Sequence, residues 1–344
     1  MRSLFATLLL LAAAMLPLHS CHDGGIIDEP DSPEGNFRTL CRIIDERYCF
    51  LDRHGVDWDS VCRANEPFVG PSISSYNLFL IMSRMLDNLR DGHVNLSSPY
   101  GASYYRDWWA AYPADFDERV VTLGYLRGDY AQMGAYTYAI IPGTQIAYLR
   151  VESFEHAPGE GNIDFILSRF ALAPALIIDI RSNGGGALTA AETLAERFIT
   201  ESMTGGYVCH KTGPGHNDFS SPRAITFDPP ATHQLWTKPV MLLTNRGTFS
   251  AANYFAAFMR TLPQVTQIGA TTGGGGGIPF SSSLPNGWTI RFSACPMLDP
   301  DGQLTEDGVS PLPAHTISFG PEESARGADP ILDHAIDLIL SGNQ

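Results

Sequence analysis

Val240-Met241-Leu242-Leu243 is an unbroken apolar run, and the chain turns helix-like at Ala251 and stays so to Arg260. A continuous apolar run of this kind reads as a strand buried on both faces, as in a parallel sheet covered by helices. Thr244-Asn245-Arg246-Gly247-Thr248-Phe249 forms the polar turn between them, and Ser250 stands at the start of the helix. The same order occurs earlier. Ala175 to Ile180 is nearly all apolar, Arg181-Ser182-Asn183-Gly184-Gly185-Gly186 is a glycine turn, and a helix is expected from Leu188 to Ile199. Repeated units of strand, glycine turn and helix predict an α/β layered domain.

Two readings of Ser250 are open at this point. Serine is a favoured N-cap, so the hydroxyl can simply close the helix. A serine lifted out of a strand and seated at the positive end of a helix is equally well placed as a nucleophile, because free N–H groups there stabilise an anion. A hydroxyl attacks only when a base takes its proton, and the base needs an orienting partner. His93, after the tight turn allowed by Gly92, is the candidate base, and Glu306 the candidate partner. The glycines at 184–186 let backbone amides approach a substrate closely, since no side chain intrudes. Asp179 and Arg181 read as a structural ion pair holding that turn.

Composition narrows the alternatives. The chain of 344 residues suffices for one large domain or two smaller ones. A formal charge of −15 argues against nucleic acid, which needs clustered Lys and Arg. The only lysines are Lys211 and Lys238. Met1-Arg2 and the apolar run Leu4 to Leu16 read as a signal peptide, too short for a membrane span. It ends in Leu18-His19-Ser20-Cys21, which resembles a bacterial lipoprotein signal and implies lipidation of Cys21; the alternative is an ordinary cleaved signal with an incidental cysteine. Of Cys41, Cys49, Cys62, Cys209 and Cys295, the first three are placed to include one bridge. No CxxC pair or His/Cys spacing indicates a metal, and the glycine run at 273–277 lacks the lysine of a phosphate cradle, so neither metal nor cofactor is expected.

In chain order, residues 1–20 are the expected signal and 21–33 an acidic tether. Residues 34–97 read as a helical domain, with Asn36 capping a helix from Phe37 and a second helix over Ser74 to Arg90. Residues 98–137 form an aromatic connecting segment with a strand at Val120 to Leu126, and 138–344 form the principal domain. Within it, Gly273 to Gly277 is expected as a flexible loop, Pro285-Asn286-Gly287 as a turn before a strand at Ile290 and Phe292, and Pro330 to Leu340 as a helix capped by Asp329.

The ordered set Asp91-Gly92-His93, Asp179-x-Arg181-x-Asn183-x-Gly185-Gly186, Thr248-Phe249-Ser250-Ala251-Ala252, Gly269-x-Thr271-Thr272-Gly273, Leu284-Pro285-Asn286-Gly287 and Glu306-x-Gly308-Val309-x-Pro311 resembles the C-terminal-processing and tricorn-like serine peptidases. That resemblance implies an α/β (α+β) fold: a crotonase/ClpP-like β/α spiral catalytic core with an N-terminal helical cap. One style in that family uses a lysine downstream of the serine as base, and no lysine follows Ser250 here. The tricorn-like style uses an early histidine and a late glutamate. It implies Ser250 as nucleophile, His93 as base, Glu306 as auxiliary, and an oxyanion hole from the N–H of Ala251 and of Gly185 or Gly186. The tricorn pattern has a serine where Gly92 stands, so the relay differs at that point. Between residues 95 and 138 no stretch is long enough for a separate PDZ domain. The expected function is a serine endopeptidase cleaving extended or unfolded peptides in the bacterial cell envelope, held to the membrane through Cys21. A peptide or apolar-ligand carrier and an esterase-like hydrolase are the competing readings.

Overall fold

The computed structural model describes residues 29–342 except Pro113; the signal segment and Cys21 lie outside the described residues. Among the described residues the architecture is mixed α/β with two six-stranded sheets. One sheet runs Val265–Gly269, Val240–Thr244, Leu176–Asp179, Ala147–Val151, Tyr136–Ile140, Ala131–Met133, the first four parallel and the last two pairings antiparallel. Leu176–Asp179 and Val240–Thr244 are buried at every residue because both faces are covered. Ile178, Val240 and Leu242 pack with the helices Glu160–Arg169, Leu188–Ala195 and Ala251–Met259. Ile177, Met241 and Leu243 face the opposite way, toward the helix Pro330–Ser341. This is the physical reason the two strands read as apolar runs without alternation. Asp329 caps the last helix by accepting from Leu332 N–H, as the sequence predicts.

The second sheet is antiparallel. It runs Gly101–Ala102, Asn95–Ser98, Thr289–Leu298, Met203–Val208, Arg223–Phe227, and Gly277–Ser283 also pairs with Thr289–Leu298. The helices Pro33–Arg47 and Ser75–Leu86 pack Leu40, Ile44, Met82 and Met85 into one core with Ile290, Phe292 and Ala294 of that long strand. An early segment and a late strand therefore share a hydrophobic interior, which carries His93 toward elements from the other end of the chain. Cys41 and Cys62 form the one disulfide among the described residues, joining the helix Pro33–Arg47 to the helix Trp58–Asn65.

Three local expectations are corrected. The first helix starts at Pro33, not Phe37, because Ser32 accepts from Gly35 N–H and Pro33 is set for the first helical turn; Asn36 lies inside the helix. Val120–Tyr125 is a π-helical turn, not a strand. Leu126 N–H closes it on Val121 O at 2.9 Å, and Asp117 accepts from Arg119 N–H at its start, while Val121 joins the core beneath the last helix. The glycine run is a packed element, not a flexible loop. Gly273 to Gly277 are all buried, and a Cβ on Gly274 would sit 1.7 Å from Glu306 O.

Candidate active site

The turn after Val240–Thr244 is fixed before it reaches Ser250. Asn245 accepts from Ser182 N–H at 2.7 Å, which ties the two strand-end turns together. Thr248 Oγ1 donates to Ile180 O and Phe249 N–H to Asn183 O. Ser250 N–H then bonds to Gly274 O at 2.9 Å. Held from both sides, Ser250 adopts φ 56° and ψ −121°, a backbone region that non-glycine residues enter only under restraint. Its side chain does not cap the helix it precedes. The hydroxyl points instead to His93, with Oγ 2.9 Å from Nε2.

His93 is placed with equal economy. Arg90, at φ 53°, ends the preceding helical turn. Buried Asp91 accepts from His93 N–H at 2.7 Å and from Ser293 Oγ–H at 2.7 Å, so one carboxylate pins the histidine's backbone to the long strand. Two residues on, Asn95 pairs with Arg291 of that strand. The imidazole is 3% exposed, packs on the Phe249 ring at 4.8 Å, and has no partner at Nδ1 among the described residues. Burial, opposed by Asp91 and assisted by the positive Arg291, lowers its pKa from 6.5 to about 4. The ring is therefore neutral at neutral pH and able to accept the serine proton.

The glycine turn completes one wall. A Cβ on Gly185 would lie 2.8 Å from Ser250 Cβ and 2.9 Å from Ala251 N, so only glycine lets this turn approach the serine. The Gly185 N–H donates to Asn183 Oδ1 at 2.8 Å. Its amide is thus occupied. The N–H groups of Gly186 and Ala251 donate to no protein acceptor among the described residues. Of the two glycines offered by the sequence, Gly186 is the one with an amide to spare, and it lines the cleft with Ser250 and His93.

Glu306 is buried beside the site but is not hydrogen-bonded to His93. Its Oε2 accepts from Gly276 N–H at 2.7 Å, and Oε1 lies 3.6 Å from His54 Nε2. Burial first, and negative Asp91 second, push its carboxyl well above the usual carboxylate range. Through Gly276 it holds the glycine run whose Gly274 carbonyl anchors Ser250. His54 gave no signal in the sequence; it comes near only because Leu51–His54 packs beside that loop.

The cleft has a volume of about 730 Å³. Trp108 forms part of its wall, stacked on Phe249 at 4.1 Å and tethered by Arg246 Nε, which donates to its carbonyl at 2.5 Å. It also accounts for Gly92: a Cβ there would lie 2.6 Å from Trp108 Nε1. The sequence marked this stretch as aromatic without giving it a role. Asp179 and Arg181 are a buried pair, as read, with Arg181 also bonded to Asp329. They hold the strand end and do not line the cleft.

Comparisons with known proteins identify the family. The model of peptidase family S41 matches residues 145–312, and that of the tricorn protease C1 domain matches residues 30–87. The crystal structure of a candidate peptidase from Parabacteroides merdae is 42% identical, covers 90% of this chain and 97% of its own, and superposes with a TM-score of 0.83. Mature CPAF, at 12% identity, covers 90% of this chain and 98% of its own with a TM-score of 0.67, a likeness of fold alone. The carboxy-terminal processing protease CtpA of Bacillus subtilis is 27% identical over 176 residues, which is 51% of this chain and 36% of that protein. The match thus spans about a third of that curated relative's length. With the motifs in order, the serine and histidine in contact, and a near full-length relative among the solved structures, the chain belongs to peptidase family S41.

Proposed function

We propose that this protein is a serine endopeptidase that cleaves extended or unfolded peptides, with Ser250 as nucleophile and His93 as general base. The observation that carries the reading is the 2.9 Å contact between Ser250 Oγ and the Nε2 of a buried, neutral histidine. His93 takes the hydroxyl proton as Ser250 attacks the scissile carbonyl, and returns it to the departing amine. The N–H groups of Ala251 and Gly186 receive the oxyanion, each donor worth about 3 kcal/mol of barrier. Glu306 acts as auxiliary by holding the glycine run under Ser250. Water then enters from the cleft and the same histidine activates it to release the acyl product.

The substrate in this reading is a peptide and not a small ester. The glycine turn offers backbone groups for strand-like docking, and aromatic side chains also line the cleft. A carrier has no use for a serine held in strained backbone against a neutral base. The architectural part of the proposal is a crotonase/ClpP-like spiral core over 138–344, capped by the helical segment 34–97, with 98–137 forming a wall of the cleft. The cellular part is a lipid anchor at Cys21 that holds the domain in the bacterial cell envelope, facing periplasm or cell surface. Its support is the signal pattern at the N-terminus.

The test is direct. A fluorophosphonate should label Ser250, and both Ser250→Ala and His93→Ala should abolish labelling and peptide turnover. Labelling that persists in His93→Ala would remove histidine from the mechanism. Palmitate incorporation lost in Cys21→Ala tests the anchor, and incorporation at another residue would overturn it.

A further inference from the structure

We propose that Arg291 forms a carboxylate subsite on the leaving-group side of the cleft, so that the enzyme selects peptides bearing a carboxylate just beyond the scissile bond. The proposal rests on the peptidase reading and adds the substrate class. Arg291 lines the cleft with His93 and Ser250, on the strand opposite Asn95. Its Nη1 donates to Asn95 Oδ1 at 3.3 Å, and among the described residues no carboxylate pairs with it. A guanidinium carries five N–H donors, so most of its fork is unspent. The side chain is also half-buried, and that burial pulls its pKa below the ordinary arginine value. Asp91 and Glu155 act on this cation through space without pairing with it, so its desolvation is only partly compensated, and a bound carboxylate offsets the remainder with two-point geometry.

The side of the cleft follows from the chemistry. His93 hands its proton to the departing amine, so the residue after the bond lies next to His93. Arg291 is close enough to the ring to depress its proton affinity. The other charged groups do not compete for this role. Asp91 is engaged by His93 N–H and Ser293. Glu155 sits beside Gly186, where a Cβ on that glycine would meet its backbone N at 2.3 Å, and it acts on Arg291 through space without forming an ion pair. Arg106 lines the cleft but is exposed to water, which weakens any ion pair it makes.

Four peptides sharing one acyl half test the idea. Their leaving halves are neutral and amide-capped, Asp-bearing and capped, neutral with a free α-carboxylate, and Lys-bearing and capped. At least one carboxylate peptide should exceed the neutral one in kcat/KM by about ten- to a hundredfold, the scale of a charged hydrogen bond. The Lys peptide should fall below it. Whichever carboxylate peptide is preferred identifies a side chain or a chain terminus as the source. In Arg291→Gln, with active sites counted by fluorophosphonate, the carboxylate-to-neutral ratio should fall to about one; Arg291→Lys should retain part of it. A flat ratio in the wild type, or a ratio that survives in Arg291→Gln, overturns the proposal while the peptidase stands. Absence of both turnover and Ser250 labelling takes down the peptidase reading and this proposal with it.

Discussion

Acidification isolates the property on which the proposed base depends. His93 is buried, and its pKa falls from 6.5 to about 4 on folding. Between those values the unfolded chain holds a proton on this ring that the folded chain does not. Stability therefore rises with pH across the window, is complete above about pH 6.5, and is lost as pH falls toward 4. The span is about 2.5 units, each worth about 1.4 kcal/mol, so keeping the ring neutral contributes about 3 kcal/mol. Urea unfolding at a series of pH values, for wild type and for His93→Gln, reads this directly. The difference between the two proteins should shrink or reverse by about 3 kcal/mol from pH 7 to pH 4. Glu306 titrates with the opposite sign, its raised carboxyl losing stability as pH rises, but that contribution is common to both proteins and drops out of the difference. The rate of fluorophosphonate labelling supplies a second readout, with an acid midpoint near 4 in the free enzyme. A difference that stays flat across the range, or a labelling midpoint at 6.5, would refute the argument that burial sets the state of this histidine.

Other perturbations follow from the same geometry. Gly185→Ala places a Cβ 2.8 Å from Ser250 Cβ at a φ of +101°, so labelling should drop by at least about a hundredfold while circular dichroism stays near native; unimpaired labelling would refute the close approach. Glu306→Gln keeps an acceptor for Gly276 N–H and should cost less than about 1 kcal/mol, whereas Glu306→Ala leaves that amide unpaired and should cost about 1–3 kcal/mol. Equal losses in the two thermal melts would show that the carboxyl does not act through Gly276. Removing the Cys41–Cys62 bridge, which spans 21 residues, should lower stability by about 3 kcal/mol in denaturant titration, and an unchanged midpoint would place its effect elsewhere.

The central strands were legible because burial on both faces leaves its mark residue by residue: Leu176–Asp179 and Val240–Thr244 are apolar runs ended by polar turns, and periodicity reads such runs locally. Ser250, the Gly184 to Gly186 turn and the motif around His93 were legible for a related reason, since each needs particular residue types over a short stretch. Val120 to Leu126 misled because β-branched residues suit a strand as well as a buried turn, and only the Asp117 cap and the core under the last helix decide between them. The contact of Ser250 with His93 crosses 157 positions and exists because helices from one end of the chain share a core with a strand from the other. The same packing put Glu306 on Gly276 and left Gly186 with the spare amide. It also exposed Arg291 to the cleft. Local sequence carries the chemistry each residue can do; which residues meet, and which hydrogen bonds remain unspent when they do, is set by long-range packing that no single stretch encodes.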